Sequence, residues 1–326
     1  MRELTFSDAI REALIEEMER DERVLLMGED IAVYGGAFKV TKDFIDRFGH
    51  DRVMNTPISE GGFTGVAIGA SLLGMRPVVE IMFMDFIIQA MDQLINQAAK
   101  FHWVYGEQAR VPLVVRTPGG GGRSYGPTHS QSLEAFFMRT PGIKVAAPSN
   151  PADAKGLLKT AIRDDNPVLF LESKVLYREK GEVPEGEHLV PLGQAHIARL
   201  GSDITLVAYS RMTNEALLAA HQLADDGVEA EVIDLRSLTP LDSATIIDSV
   251  QRTGKAVLIE EGTRTCGVCA EIGFQIAEQV FDYLEAPLRR VTTPDIPVPC
   301  SGPLEAAALP NASKIVDTVR DLLENY

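Results

Sequence analysis

The hydrophobic positions follow two kinds of spacing that alternate along the chain. Near the amino terminus, Thr5 and Asp8 have the spacing of a helix cap, and apolar residues then recur every three or four positions as far as Met18, which predicts an amphipathic helix. Short runs rich in β-branched residues follow, separated by stretches with helical spacing. The predicted strands begin at Val24, Arg76, Val111, Lys144 and Pro167, and the predicted helices cover 60–73, 85–101 and 151–163. This alternation is typical of a parallel sheet covered by helices on both faces.

A second series with the same alternation occupies the carboxyl-terminal part of the chain. Its predicted strands begin at Ile204, Val228, Ala256 and Leu288, and its predicted helices cover 212–226, 242–252 and 267–284. The segment 179–194 between the two series is rich in Gly, Pro and charge, which is the composition of a linker. The sequence therefore predicts two parallel-sheet α/β domains, over residues 1–190 and 191–326.

Charge and hydropathy exclude several function classes. The 326 residues include 31 Lys and Arg against 47 Asp and Glu, so the net charge is −16 and the chain repels the phosphate backbone of nucleic acid. No apolar stretch approaches the ~20 residues that span a bilayer. The first residues form an acidic amphipathic pattern rather than a secretory signal. We expect no nucleic-acid partner and no membrane segment.

The three cysteines suggest a reducing environment. Three thiols cannot build a disulfide framework, so we expect a cytoplasmic location or an equivalent reducing compartment. Cys266 and Cys269 have the spacing of a redox or zinc site, but no second pair accompanies them. Buried thiols at a helix start are the favoured interpretation.

Four glycines at 119–122 follow the strand that begins at Val111. They are expected at the carboxyl edge of the sheet, where open α/β sheets bind ligands. A phosphate cradle needs Gly-Lys-Ser or Gly-Lys-Thr leading into a helix, and Arg123 follows here instead, so a mobile loop at the active edge is favoured over a cradle. His129 comes just after this loop, and its position makes it a candidate functional residue. An ordinary turn histidine is the alternative.

Glu60 lies in the first turn of an otherwise uncharged predicted helix. The helix dipole favours an acid there, which explains the residue without a function. It does not explain Gly61, Gly65 and Gly69, which share one helical face and would let another backbone pack closely. A carboxyl group kept from water at this point is suited to sharing a proton with a ligand nitrogen. Phe86, at the next strand-to-helix corner, is either core or a stacking surface for a flat ring.

Several long motifs occur together and in a fixed order. They are GED at 28–30, PISEGGFTG at 57–65, MDF at 84–86, HSQS at 129–132, PSNPADAKGLL at 148–158 and VIDLRSLTPLD at 232–242. From about residue 4 to about residue 322 the chain closely resembles the beta subunit of the thiamine diphosphate-dependent first component of 2-oxo acid dehydrogenase complexes. The resemblance implies a transketolase-like pyrimidine-binding domain followed by a transketolase C-terminal-like domain.

The resemblance also implies that this chain is half of a catalytic site. In that family an alpha subunit carries a Gly-Asp-Gly motif that holds magnesium and the cofactor diphosphate, and this sequence has no Gly-Asp-Gly. The expected assembly is an α2β2 heterotetramer that delivers an acyl group to a lipoyl-bearing acyltransferase core. The implied reaction is the oxidative decarboxylation of a 2-oxo acid and transfer of the acyl group to lipoamide.

The resemblance assigns roles to residues already singled out. Glu60 matches the glutamate that hydrogen-bonds the pyrimidine nitrogen of thiamine diphosphate and so promotes proton removal from the thiazolium carbon. Phe86 matches the aromatic residue stacked on the pyrimidine, and Ile58 matches its apolar neighbour. His129 matches the histidine near the substrate and the incoming lipoyl group.

The resemblance further suggests a structural potassium ion at 161–166. Ala161, Asp164 and Asn166 are the matching residues, and oxygen ligands in a turn suit such an ion. A helix end followed by a turn explains the same residues, so both interpretations stay open.

Substrate choice rests on two short strings. Branched-chain members usually carry a second histidine directly before the matched one, and here Thr128 precedes His129. The residues 89–93 also lack the aromatic-Pro-Ala-Phe-Asp-Gln string of that branch. Pyruvate is therefore favoured, followed by acetoin and then a branched-chain 2-oxo acid. The alternatives are another enzyme of the transketolase group and, from a different class, a non-catalytic α/β binding subunit.

Overall fold

The computed structural model describes all 326 residues, which form two compact units. The first unit comprises Met1–Gly119 and Phe136–Leu192, and the second comprises Gly120–Ala135 and Gly193–Tyr326. The segment 120–135 precedes residue 190 in sequence but groups with the second unit. Backbone N–H groups of this segment donate to carboxylates of the second unit, which explains the grouping.

The first unit is built around a parallel sheet. In chain order its elements are β1 (Arg2–Thr5), α1 (Phe6–Arg20), β2 (Val24–Gly28), α2 (Phe44–Phe48), β3 (Val53–Asn55), α3 (Glu60–Leu72), β4 (Arg76–Glu80), α4 (Ala99–Val104), β5 (Val114–Gly119), α5 (Glu134–Met138, which begins in the segment of the second unit), β6 (Lys144–Ala146), α6 (Pro151–Arg163), β7 (Val168–Ser173) and β8 (Lys180–Val183). Strands β2 to β7 pair in parallel in the order β6-β7-β5-β4-β2-β3. β1 and β8 pair antiparallel. The composition of 179–194 predicted a linker and not the strand β8. This strand forms because its backbone pairs with β1, which does not require apolar side chains.

Local sequence signals explain how α1 forms and what it buries. The side chain of Thr5 accepts a hydrogen bond from the backbone N–H of Asp8 at 3.1 Å, as the cap spacing predicts. Ile10 and Leu14 on the apolar face of α1 belong to the same buried core as Leu157 of α6. The predicted N-terminal helix is confirmed.

The predicted helix at 85–101 is three consecutive helical segments. A 3-10 helix covers Met84–Ala90, a π-helix covers Asp92–Ala98, and α4 follows. Apolar positions repeat every three to four residues in all three forms, so hydrophobic spacing does not distinguish them. π turns occur frequently at functional sites.

The second unit has its own mostly parallel sheet. Its elements are β9 (His196–Arg199), β10 (Ile204–Ala208), α7 (Arg211–Asp225), β11 (Ala230–Asp234), β12 (Ser237–Thr239), α8 (Ser243–Thr253), β13 (Ala256–Thr263), α9 (Val268–Val280), β14 (Arg289–Thr293), α10 (Gly302–Ala308) and α11 (Ala312–Asn325). The strand order is β14-β13-β10-β11-β9, with β9 antiparallel at the edge. The predicted class of two parallel-sheet α/β domains is confirmed. None of the helices combines the length and apolarity needed to cross a bilayer.

Candidate active site

Glu60 is a buried acid at the carboxyl edge of the first sheet. It is the first residue of α3, which follows β3, and it is 3% exposed. A Cβ on Gly61 would lie 2.8 Å from the carbonyl oxygen of Gln89, so α3 packs directly on the 3-10 segment that contains Phe86. Oε2 of Glu60 is buried and has no hydrogen-bond partner. A buried polar atom without a partner costs free energy, so this oxygen fits a hydrogen-bond donor on a bound group.

Glu29, directly after β2, is a second acid of this site that the sequence analysis did not select. Its Oε1 is also buried and without a hydrogen-bond partner. Burial raises the pKa of Glu29, and the charges of Glu60 and Asp30 raise it further. The site therefore contains two acids that each have a buried carboxyl oxygen without a hydrogen-bond partner. The available sequence signal was an acid directly after a buried strand.

Phe86 has a partly accessible ring held by its neighbours. The Phe86 ring packs edge-on against Phe83, with 5.9 Å between centroids and an interplanar angle of 83°. Nζ of Lys174 lies 5.4 Å from the centroid of the Phe83 ring. Phe86 is half-buried, so it contributes to packing and also offers ring surface for stacking. Ile58 is 84% exposed and so offers apolar surface to a ligand or a partner.

An ionic network is buried across three neighbouring strands of this sheet. Arg116 of β5 donates to Glu80 of β4 at 2.9 Å and to Glu172 of β7 at 3.0 Å. Oη of Tyr177 donates to Glu172 at 2.6 Å. Burial raises the pKa of Glu80 although Arg116 opposes this. No local sequence pattern predicts this network, because its members come from separate segments of the chain.

His129 lies in the second unit and is half-buried. Its backbone N–H donates to the carbonyl oxygen of Gly126 at 3.2 Å, and its Nδ1 lies 3.1 Å from Oγ1 of Thr128. In the preceding glycine loop, the N–H of Gly122 donates to the carboxylate of Glu305 at 2.9 Å. A carboxylate of the chain itself therefore takes the place that a phosphate would need, and the phosphate-cradle alternative is wrong.

The candidate potassium ligands lie at the opposite, amino edge of the first sheet. The N–H and Nδ2 of Asn166 both donate to Oδ1 of Asp164 at 2.9 Å, and Lys144 donates to Oδ2. Burial acts against ionisation, but the hydrogen bonds from Lys144 and Asn166 keep the pKa of Asp164 below its usual value. Arg76 donates to the carbonyl oxygen of Asp164 at 3.0 Å, and the carbonyl oxygen of Ala161 accepts from the N–H of Asp164 at 3.3 Å. A cation would have to compete with these protein donors.

The other candidate sites were a metal centre elsewhere in the chain and the cysteines. No group of three or more His, Cys, Asp or Glu side chains is arranged to hold a metal ion. All three cysteines are free. Cys269 is buried in α9 as predicted, whereas Cys266 is exposed, so the buried-thiol interpretation is wrong for Cys266.

Comparisons with known proteins agree with this architecture. The family model described as the transketolase pyrimidine-binding domain matches residues 2–180, and the transketolase C-terminal domain matches residues 193–315. The beta subunit of acetoin:2,6-dichlorophenolindophenol oxidoreductase from Bacillus subtilis (strain 168) is 46% identical, over 99% of this chain and 98% of its own length. The pyruvate dehydrogenase E1 component subunit beta of Rickettsia felis is 46% identical, over 98% of each chain.

A solved structure described as a split gene transketolase, inactive beta4 tetramer, shares the fold. Its TM-score is 0.80 at 23% identity, covering 98% of this chain and 99% of that chain. The sequence relatives are twice as similar and span the full length. The chain therefore belongs to the transketolase-like family of beta subunits of thiamine diphosphate-dependent 2-oxo acid dehydrogenase first components.

Proposed function

We propose that this chain is the beta subunit of a pyruvate dehydrogenase first component. With an alpha subunit it oxidatively decarboxylates pyruvate and transfers the acetyl group to lipoamide. The observation that carries the proposal is the buried Oε2 of Glu60, which has no hydrogen-bond partner, in a chain without a Gly-Asp-Gly motif. Relatives named as pyruvate dehydrogenase E1 component subunit beta, at 46% and 44% identity, support the choice of substrate.

The residues of the first unit have a consistent role toward thiamine diphosphate, which supplies the electron sink for decarboxylation when it is bound. Glu60 shares a proton with the pyrimidine nitrogen through its buried Oε2. Glu29, whose pKa is raised by burial and by the charge of Glu60, provides a second position for that proton. Phe86 offers ring surface for the pyrimidine, and Ile58 adds apolar surface that excludes water.

His129 acts on the substrate and the lipoyl group. A protonated imidazole can orient the carboxylate of a 2-oxo acid or donate a proton to the dithiolane sulfur as the ring opens. Glu60 and His129 therefore serve different stages of the reaction. Glu60 serves cofactor activation, and His129 serves acyl transfer.

Partners and ions complete the proposal. The alpha subunit holds magnesium and the diphosphate in an α2β2 heterotetramer, and a lipoyl-bearing acyltransferase core receives the acyl group. A structural potassium ion at Ala161, Asp164 and Asn166 would compete with Lys144, which already donates to the carboxylate of Asp164. Three free cysteines suit the cytoplasm or another reducing compartment.

Acetoin is the second candidate substrate. The beta subunit of the Bacillus subtilis acetoin oxidoreductase is as similar to this chain as the Rickettsia felis relative, at 46% identity. A branched-chain 2-oxo acid ranks lower, because Thr128 stands where that branch usually has its second histidine.

Reconstitution with an alpha subunit tests the proposal. Isothermal titration should find weak binding of thiamine diphosphate and magnesium to the isolated chain, and activity should appear on mixing with the alpha subunit. Pyruvate, acetoin and branched-chain 2-oxo acids are assayed in parallel to identify the substrate. Tight, magnesium-dependent cofactor binding by the isolated chain would contradict the half-site. A heterotetramer inactive on all three substrates would favour the non-catalytic binding subunit.

A further inference from the structure

The loop that carries His129 has an anion-binding backbone conformation. We define the His129 loop as residues 120–131. Gly120, Gly122 and Ser124 have φ values of +78°, +85° and +57°, and left-handed residues in such a turn direct successive N–H groups toward one side. A Cβ on Gly121 would lie 2.8 Å from Cδ1 of Leu309 and 3.1 Å from Oε1 of Glu305, so the loop backbone packs against these two side chains.

The carboxylate of Glu305 in α10 accepts hydrogen bonds from N–H groups that this turn directs to one side. The N–H of Gly122 donates to its Oε1 at 2.9 Å, and the N–H and Oγ of Ser124 donate to its Oε2 at 2.8 and 3.3 Å. The N–H of Gly121 donates to a second carboxylate, that of Glu261. Glu305 is 4% exposed, so water competes little for these hydrogen bonds. Hydrogen bonds to an ionised acceptor are roughly twice as strong as neutral ones, so Glu305 is a strong anchor for the loop.

The far end of the His129 loop is also held. The N–H of Gly120 donates to the carbonyl oxygen of Gln131 at 3.1 Å and closes the loop. Directly after it, the buried side chain of Glu134 accepts a hydrogen bond from Oη of Tyr209 at 2.6 Å. The backbone of His129 thus lies between two anchored ends.

We propose that Glu305 is a positioning residue for His129. By accepting the hydrogen bonds of Gly122 and Ser124, it fixes the first half of the His129 loop and so the placement of the imidazole. The inference rests on the proposed function, in which His129 serves acyl transfer. The competing explanation is that Glu305 only stabilises the second unit, in which case its removal would weaken the fold without acting through His129.

Amide hydrogen exchange of the full chain tests the anchor independently of activity. Glu305→Gln keeps the size of the side chain but removes the charge, so the amides of Gly122 and Ser124 should exchange roughly 10- to 100-fold faster, since hydrogen bonds to charged groups are among the stronger ones. Glu305→Asp keeps the charge but withdraws it by one methylene, and it serves as a milder variant should Glu305→Gln fold poorly. The matched control is Asp242→Asn, because Asp242 also accepts two backbone N–H groups in this unit, at 2.9 and 3.2 Å, and bonds to no loop residue.

Activity of the assembled enzyme tests the link to His129. Glu305→Gln should lower transfer to lipoamide on the order of 10²-fold, because small misplacements of a catalytic group have effects of that size. Decarboxylation measured with 2,6-dichlorophenolindophenol as acceptor should be largely retained. In a His129→Ala background the same Glu305→Gln change should have no further effect on transfer, because residues acting through one group are not additive.

The possible outcomes separate this inference from the proposed function. Unchanged exchange of the Gly122 and Ser124 amides in both Glu305 variants, or faster exchange throughout the second unit, would overturn the anchor. Additive effects of Glu305→Gln and His129→Ala would show that Glu305 does not act through His129. If His129→Ala alone leaves transfer intact, the assigned role of His129 fails, and the positioning inference fails with it. If His129→Ala abolishes transfer while Glu305→Gln does not reduce it, only the positioning inference fails.

Discussion

Glu60 and Glu134 are both 3% exposed, and each has a buried Oε2 without a hydrogen-bond partner. The Oε1 atom of Glu134 accepts a hydrogen bond from Oη of Tyr209. Glu60 could be selected from the sequence because it interrupts an apolar, glycine-rich helix. Glu134 follows the polar string at 129–132 and gave no such signal, because its burial depends on Tyr209, 75 residues further along the chain.

Replacing Glu60 with Gln should slow cofactor activation and leave the fold intact. Gln keeps the size of the side chain but cannot share a proton with the pyrimidine nitrogen, and losing an acid/base partner typically costs ~10² to 10⁴ in rate. Proton exchange at the thiazolium carbon, followed by NMR in the assembled enzyme, measures this step. Glu22→Gln, an exposed acid of the same unit, is the control. An unchanged exchange rate would remove Glu60 from the site.

Glu134 should make the stability of the chain depend on pH near neutrality. Burial raises its pKa to about 7 although the Tyr209 hydrogen bond opposes this, so between about pH 5 and 7 the folded chain binds more protons at this site than the unfolded chain. Its contribution to stability is therefore largest at low pH and is lost as the pH rises through about 7. Glu134→Gln should remove this dependence, on the order of 3 kcal/mol across the interval.

Urea denaturation of the parent chain and of the Glu134→Gln variant at a series of pH values measures the effect of Glu134. Tyr209→Phe removes the hydrogen bond that lowers the pKa of Glu134, so the pH interval should move upward in that variant. Parallel pH profiles for the parent and Glu134→Gln would show that another group is responsible.

The three glycines of α3 are not equivalent. The spacing of Gly61, Gly65 and Gly69 along α3 predicts that all three lie on one close-packed face. A Cβ would meet the carbonyl oxygen of Gln89 at 2.8 Å from Gly61 and Cγ of Gln93 at 3.7 Å from Gly65, but nothing within 4 Å from Gly69. The close-packing prediction is confirmed for Gly61 and wrong for Gly69.

Gly61→Ala and Gly69→Ala should therefore change stability in opposite directions. The first forces α3 away from the 3-10 segment and should destabilise the chain by roughly 1–3 kcal/mol. The second meets no neighbour and gains helix propensity, so it should stabilise the chain by roughly 0.5–1 kcal/mol. Thermal unfolding of the two variants beside the parent gives the comparison. Equal shifts would mean that the contact with Gln89 does not limit the packing of α3.

Element boundaries were predicted best where a local signal exists. The cap at Thr5 and the apolar spacing of α1 and α6 are such signals, and the structure places these helices as predicted. The division of 84–104 into 3-10, π and α segments has no comparable signal. β8 was missed because its partner β1 lies at the other end of the first unit in sequence.

The net charge of −16 should affect the affinity of the molecule for its protein partners. We expect electrostatic steering toward a basic surface of the proposed acyltransferase core, and such steering weakens with salt because the Debye length is about 10 Å at 0.1 M. Affinity of the heterotetramer for that core should fall steeply between ~50 and ~500 mM salt. Surface plasmon resonance across this range measures it, and an affinity independent of salt would indicate that the charge serves solubility alone.

The sequence by itself determined the α/β class, the two series of elements, the family and the identity of Glu60 and His129 as candidates. It could do so because periodicity, caps and motifs are local and are read within a few consecutive residues. Only the tertiary structure decided that Oε2 of Glu60 has no partner, that Glu29 interacts with Glu60, and that Glu305 fills the glycine loop. Those facts depend on groups that are distant along the chain, and folding alone brings Gly122 and Glu305, 183 residues apart, within a hydrogen bond of each other.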